Sequence, residues 1–163
     1  MNRLYTTLLL MLATGCASTP EAQHTFPANS MAVTAHPLAT AAARDVLAQG
    51  GNAADAAVAA GMMLAVVEPS MSHLGGRIQI LVRSPGGTYR GYNGMTEVPA
   101  SYIAPDEPVG QGYGTIATPG VVAGLGRLHA EHGSLSWSAL LQEPARVAED
   151  GFALLPGAAA RHE

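Results

Sequence analysis

The segment that most constrains the fold is a run of small residues between two sets of helix breakers, within residues 46–69. The glycine pair at 50–51 predicts the end of one helix, and Asn52 is a typical cap for the next. This second helix is expected to run to about Val66, since Pro69 follows closely. Its side chains are mostly alanine, so its backbone can pack close against neighbouring elements.

The rest of the chain predicts a mixed α/β domain. Pro37 suits the first turn of a helix, and the glycines at 133 and 151 suit helix ends. The turn sequence at 84–87 lies between two stretches that are typical of strands. We expect a short strand over residues 31–35, helices over 37–47, 121–132 and 137–149, and a β-hairpin with strands at 77–83 and 88–92. No closing element is expected after the last helix.

Composition limits the possible partners. The chain has 163 residues, a formal net charge of −4 and 8 basic residues, all of them arginine. No basic stripe interleaved with aromatic residues is present, so nucleic-acid binding is not expected. Hydrophobic residues make up 48% of the chain, enough for a core, but many are small and bury little area each. The composition therefore favours a chain that packs against a partner.

The N-terminus is typical of an export signal. Residues 1–15 combine a basic start with an apolar run too short to span a bilayer, and residues 16–30 read as a flexible tether. Cys16, the single cysteine, follows a small residue, and the site resembles the lipobox of bacterial lipoproteins. This predicts a periplasmic protein with a lipid on Cys16, and Ala17 favours the outer membrane. The alternative is an ordinary secretory signal with an incidental cysteine.

Several motifs in order carry a family resemblance. They are GGNAADAAVAA with VVEP (50–69), ATPGVVAGL (117–125), GSLSW (133–137) and AEDGF (148–152). Together they resemble the large subunit of gamma-glutamyltranspeptidases from residue 31 to about residue 155. The resemblance implies a partial N-terminal-nucleophile hydrolase fold, an αββα sandwich that is incomplete without the small subunit. Residues 31–163 would then be the N-terminal portion of this domain.

The resemblance also implies a reaction. Members of the family transfer or hydrolyse γ-glutamyl groups of glutathione-like substrates, without a cofactor, through a threonine whose own amino group acts as base. That threonine begins the C-terminal subunit of the same precursor and has no counterpart here, since Thr6 and Thr7 fall in the signal peptide. We therefore expect no catalytic residue in this chain, no activity from it alone, and a small subunit as its partner.

One substrate-binding residue of the family falls within the matched region. An arginine after the hairpin holds the substrate carboxylate, and Met95 occupies its position in Asn93-Gly94-Met95-Thr96. Arg77, within an altered glycine turn, is interpreted as a charge at a strand edge, with a displaced carboxylate ligand as the alternative. Arg90 is the other weak candidate, and the hairpin is expected to point it elsewhere.

The remaining polar residues favour structural roles. His129 and His132 are three residues apart near a helix end, where positive charge is favourable, and no acidic or cysteine partner suggests a metal. Helix capping and loop hydrogen bonds account for Asp55 and Glu68. His73 in the glycine turn and the acidic pair at 106–107 are interpreted as loop residues that are exposed to solvent.

Two other functions stay open. A divergent acylase or amidase of the same fold would explain the loss of the carboxylate arginine at Met95. A non-catalytic exported lipoprotein could keep the fold for binding or scaffolding. A following reading frame with a Thr-Thr-His-like motif would favour either enzyme over the scaffold.

Overall fold

The computed structural model describes residues 30–107 and 110–161, and its architecture is mixed α/β as predicted. In chain order its elements are helix α1 (Pro37–Ala48), helix α2 (Ala53–Val67), strand β1 (Ile78–Arg83), strand β2 (Tyr89–Gly94), a 3-10 turn (Tyr113–Thr115), helix α3 (Val121–His132), helix α4 (Trp137–Asp150) and helix α5 (Pro156–Ala159). The short helix α5 was not expected from the sequence.

The connection between α1 and α2 follows the glycine and cap signals. Gly50 has a φ of 89°, a conformation that glycine adopts without steric cost. The Asn52 side chain accepts hydrogen bonds from the N–H groups of Ala54 and Asp55, at 2.8 and 3.1 Å. Asp55 in turn accepts from the N–H of Asn52 at 2.9 Å. This reciprocal capping box fixes where α2 begins.

Helix α2 is the central element of the described residues. It packs against α1, α3 and α4. Most of its buried side chains are small, and the buried apolar ones are Ala54, Ala56, Val58, Ala59, Ala60, Met63 and Val67. Larger side chains from the neighbours, Leu125 and Leu128 of α3 and Leu140 of α4, fill the space around it. Each such leucine contributes about 1.5–3 kcal/mol by burial.

The hairpin packs against α3 through one face. Strand β1 pairs antiparallel with β2, with Ile78 opposite Gly94 and Arg83 opposite Tyr89. Ile78, Ile80 and Val82 pack against the helical core. Leu81 points to the other face, where 72% of its surface is exposed. The hairpin therefore has one covered face and one open face within the described residues.

The strand predicted at residues 31–35 is wrong. No strand is assigned there, and within the described residues β1 pairs only with β2. The Thr34 hydroxyl instead donates to the His36 carbonyl at 2.8 Å and lies 2.8 Å from the Thr40 hydroxyl, which ties the segment to the start of α1. A strand needs a neighbour to complete its hydrogen bonds, and periodicity along one segment cannot supply that information.

The predicted export features lie outside the described residues. These are the signal peptide at 1–15, Cys16, and the tether up to residue 29. Among the helices at 30–107 and 110–161, none combines the length and hydrophobicity needed to span a bilayer.

Candidate functional site

The described residues form an open cleft of about 540 Å³. It lies between α2, the loop that precedes β1, and the start of α3. One wall is apolar and consists of Gly61, Leu64, Ala65, Ile78, Val121 and Leu125. Its polar residues are Ser72, His73, Arg77 and Thr96. The cleft thus combines an apolar surface with a few polar groups, as small-molecule sites commonly do.

Close backbone contacts hold the polar rim of this cleft in place. The N–H of Gly76 donates to the His73 carbonyl at 3.1 Å, and the N–H of Gly120 donates to the Gly76 carbonyl at 3.0 Å. A Cβ atom on Gly120 would lie 2.2 Å from the Gly94 carbonyl oxygen, so only glycine fits there. These contacts bring the glycine turn, the end of β2 and the start of α3 together.

Met95 follows directly after β2 and is partly buried beside the cleft. Its N–H donates to the Asn93 side chain at 3.2 Å. The neighbouring Thr96, not Met95, lines the cleft. A thioether is at most a weak hydrogen-bond acceptor and carries no charge, so Met95 cannot bind a carboxylate.

Arg77 lines the cleft and is exposed. Its guanidinium has no ion-pair or hydrogen-bond partner among residues 30–107 and 110–161. His73 is also exposed, and its ring lies over the glycine turn, since a Cβ atom on Gly75 would lie 3.3 Å from His73 Nδ1. Both candidates from the glycine turn are therefore available to solvent at the cleft.

Arg90 belongs to a separate cluster at the other end of α3. It pairs with Glu131, which also pairs with Arg127 and accepts a hydrogen bond from Tyr92 Oη at 2.9 Å. The Tyr92 hydrogen bond, together with those from both arginines, lowers the pKa of Glu131 to about 2. Glu131 lies about 15 Å along α3 from Val121, the first residue of the helix and part of the cleft lining, at 1.5 Å per residue.

The two histidines of α3 form structural hydrogen bonds. His129 Nε2 lies 2.8 Å from the Leu135 carbonyl oxygen, and His132 Nε2 lies 2.6 Å from Tyr92 Oη. Their rings also make edge contacts with Trp137 and Tyr92, respectively. Within the described part of the chain, no three His, Cys, Asp or Glu residues are grouped as metal ligands.

The carboxylates also have structural partners. Asp55 is fully buried and, besides its capping role, accepts from the Ser134 N–H at 3.0 Å and the Ser134 hydroxyl at 2.6 Å. Burial acts to raise the pKa of Asp55, but the hydrogen bonds from Ser134, Asn52 and Leu135 outweigh it, and the pKa is lowered. Glu68 accepts from Arg161 at 2.8 Å. The acidic pair at 106–107 is exposed, as expected.

The capping role of Asp55 was predicted from the sequence, but its hydrogen bonds from Ser134 were not. The spacing of Asn52 and Asp55 signals a capping box. No comparable local signal links Asp55 to a residue so far along the chain.

Comparison with known proteins gives the family. Residues 39–163 match the sequence model described as Gamma-glutamyltranspeptidase. A glutathione hydrolase of Aspergillus flavus is 37% identical over 72% of this chain and 20% of its own length. Glutathione hydrolase 2 of Arabidopsis thaliana is 36% identical over 66% of this chain, again 20% of its own length. The Acylase ACY 1 proenzyme of Pseudomonas sp. (strain SE83) is 32% identical over 77% of this chain and 25% of its own length.

Solved structures agree with these relatives. The gamma-glutamyltranspeptidase of Helicobacter pylori superposes with a TM-score of 0.74 at 30% identity, over 81% of this chain and 41% of that chain. A cephalosporin acylase from Bacillus halodurans gives a TM-score of 0.72 at 28% identity, over 89% of this chain and 30% of that chain. These neighbours confirm the partial N-terminal-nucleophile hydrolase fold. The chain spans about a fifth of the length of its first curated relatives and belongs to the gamma-glutamyltranspeptidase family.

Proposed function

We propose that this chain is the N-terminal part of the large subunit of an enzyme that transfers or hydrolyses γ-glutamyl groups of glutathione-like substrates. The observation that supports this most strongly is the match in both sequence and fold to glutathione hydrolases and gamma-glutamyltranspeptidases over most of the chain. Its contribution is a scaffold and one wall of a substrate site. The nucleophilic threonine and its base come from a C-terminal segment of the same precursor.

The residues of the cleft support a nucleophile supplied by another segment of the precursor. A threonine attacks a carbonyl carbon only when a nearby base accepts its proton. In the cleft, the lining contains Thr96 and His73 but no carboxylate or amine, and no hydrogen bond joins the Thr96 hydroxyl to the His73 ring within the described residues. Several relatives are named proenzymes, which is consistent with a precursor that is cut to expose its nucleophile.

An acylase or amidase is the second candidate, because Met95 stands where the resemblance places a carboxylate-binding arginine. The similarity to the acylases of Pseudomonas and Bacillus halodurans also favours it. Such an enzyme would use the same kind of acyl-enzyme intermediate, but the intermediate would carry a different acyl group.

One assay separates these functions. An antibody against residues 30–161 isolates the protein, with whatever is bound to it, from the cells that produce it. Two chromogenic substrates are then compared, γ-glutamyl-4-nitroanilide and glutaryl-4-nitroanilide, which differ in the α-amino group. We expect faster release from the γ-glutamyl compound, and none in a strain that lacks the gene.

Two other outcomes of this assay would point to other functions. Preference for the glutaryl compound would support the acylase and contradict γ-glutamyl transfer. No release from either compound would contradict γ-glutamyl transfer and a glutaryl acylase, and would favour the non-catalytic lipoprotein scaffold.

We propose that Cys16 is lipidated after export and anchors the protein at the periplasmic face of the outer membrane. The apolar run before Cys16 and the small residue beside it support this. Metabolic labelling with a clickable palmitate should mark the wild-type protein and the control Ser18→Ala. Cys16→Ser should lose the mark and appear in the soluble periplasmic fraction. An unlabelled, soluble wild type would contradict the anchor.

A further inference from the structure

We propose that Arg161 is a positioning residue for the cleft. With Glu68 and Ser70 it forms a clasp that fixes the rim loop, residues 69–73, which supplies part of the cleft lining. The inference rests on the proposed function, because it concerns the cleft that the substrate is proposed to occupy. It also gives Glu68 a role beyond the local hydrogen bonds that its place in the sequence suggests.

The clasp joins the last helix of the described residues to the end of α2. Ala158 of α5 is buried, and its carbonyl accepts from the N–H of Arg161 at 3.0 Å. From this anchored position, Arg161 Nη2 donates to Glu68 Oε2 at 2.8 Å and Arg161 Nε donates to Ser70 Oγ at 3.1 Å. Two donors of one planar guanidinium therefore bind two neighbouring residues, which fixes orientation as well as distance.

The burial of Glu68 makes this more than a surface ion pair. Only 12% of the Glu68 side-chain surface is exposed, against 42% for Arg161. A carboxylate that is largely removed from water is costly unless a partner compensates for the loss. Fully exposed ion pairs, by contrast, contribute little. We therefore expect that without Arg161 the Glu68 side chain turns towards solvent, and that the rim loop moves with it.

The backbone of Glu68 carries the effect to the cleft. Its carbonyl accepts from the N–H groups of Met71 at 3.0 Å and Ser72 at 2.7 Å, so the position of Glu68 sets the first turn of the rim loop. Met71 and Ser72 line the cleft on one side and a second cavity of about 400 Å³, which Arg161 also lines, on the other. The rim loop thus separates the cleft from the clasp, and His73 follows next in the lining.

Amide hydrogen exchange in the full chain tests whether the clasp holds the rim loop. Arg161→Gln should speed exchange at the Met71 and Ser72 amides by about fivefold or more, because opening of the loop becomes easier. Exchange at Gly124, inside α3, should stay as in wild type. The control Arg146→Gln removes two ion pairs within α4, lines neither cavity, and should leave the loop amides unchanged.

Kinetics of the native protein test the positioning role. Variants are introduced into the gene, and the protein is isolated with the antibody against residues 30–161. Arg161→Gln should raise the KM for γ-glutamyl-4-nitroanilide about threefold or more and leave kcat within about twofold, because the rim contributes to binding and another segment supplies the nucleophile. Arg161→Lys keeps the charge beside Glu68, so its KM should lie between those of wild type and Arg161→Gln. Arg146→Gln should match wild type.

The KM separates positioning from a loss of folded protein. A partly unfolded variant has fewer active molecules, which lowers the apparent kcat and leaves KM unchanged. That result for Arg161→Gln would overturn the positioning role, and so would a KM for Arg161→Lys no better than that of Arg161→Gln. Unchanged exchange at Met71 and Ser72 in Arg161→Gln would overturn the clasp itself.

Failure of the clasp is distinguishable from failure of the proposed function. Hydrogen exchange requires no catalysis, so it decides on the clasp even if wild type releases no nitroaniline. Absence of release by wild type would contradict the proposed function. Release by wild type together with unchanged exchange in Arg161→Gln would contradict the clasp alone.

Discussion

Among single residues, Asp55 joins parts of the chain that are far apart in sequence. Its carboxylate caps the start of α2 and accepts hydrogen bonds from Ser134 and Leu135 in the connection between α3 and α4. It is fully buried, with 0% of its surface exposed. A buried carboxylate is tolerated because several donors satisfy it.

Asp55→Ala should lower the free energy of unfolding by about 2–4 kcal/mol, because it removes a helix cap and leaves buried N–H donors unpaired. Urea denaturation measures the change. The control Asp106→Ala alters an exposed loop residue and should change stability by less than about 0.5 kcal/mol. Equal effects of the two substitutions would contradict the role of Asp55.

Stability should also depend on pH through the carboxylates at 55 and 131. The pKa of Glu131 is lowered from its ordinary value of 4.5 to about 2, and the pKa of Asp55 is lowered below 3.8. At acidic pH the unfolded chain then binds more protons than the folded chain. The stabilisation is complete above about pH 4.5 and is lost as the pH falls from there towards 2.

Urea midpoints at pH 6, 4 and 3 measure this loss. Glu131→Gln should flatten the decline between pH 4.5 and 2, whereas Glu149→Gln, at an exposed position on α4, should leave it as in wild type. A decline of the same size in Glu131→Gln would show that other groups cause it.

Among the elements, helix α3 contains two glycines, Gly124 and Gly126, with different surroundings. A Cβ atom on Gly124 would lie 2.6 Å from Ile78 Cγ2, whereas one on Gly126 would meet nothing within 4 Å. Gly124→Ala should therefore destabilise the fold by about 1–3 kcal/mol through overpacking against the hairpin. Gly126→Ala should stabilise it by about 0.5–1 kcal/mol through helix propensity. Thermal unfolding of both variants measures the difference, and stabilisation by both would contradict the close packing of α3 on β1.

The elements that the sequence predicted well are those with local signals. Asn52, Gly50 and Pro37 mark helix ends because capping and backbone conformation depend on neighbouring residues. The strand predicted at residues 31–35 failed because a strand depends on a distant partner. The Asp55–Ser134 hydrogen bonds were missed for the same reason, since they join residues about 80 positions apart.

The candidate site was predicted only in part. The family resemblance predicted that Met95 replaces a carboxylate-binding arginine. Arg77 and Arg90 were the two weak candidates for a substitute ligand. The structure separates these two arginines, because Arg77 lines the cleft and Arg90 forms an ion pair with Glu131 at the far end of α3. Neither fact follows from spacing along the chain.

For the whole molecule, the described residues form a helical core with an open surface on the hairpin. Leu81 on that surface and Tyr113 in the following loop are 72% and 94% exposed. Apolar residues exposed in this way are consistent with contacts to the rest of a longer precursor. The central claim is that this chain supplies a binding cleft and that a separate segment supplies the nucleophile.

The most direct test compares the purified 163-residue chain with the protein isolated from its own cells, at equal amounts of this chain by immunoblot. Both are incubated with γ-glutamyl-4-nitroanilide, and nitroaniline release is recorded. We predict release by the isolated native protein and none by the purified chain above the buffer rate. Release by the purified chain in proportion to its concentration, at a rate equal to that of the native protein, would contradict this account.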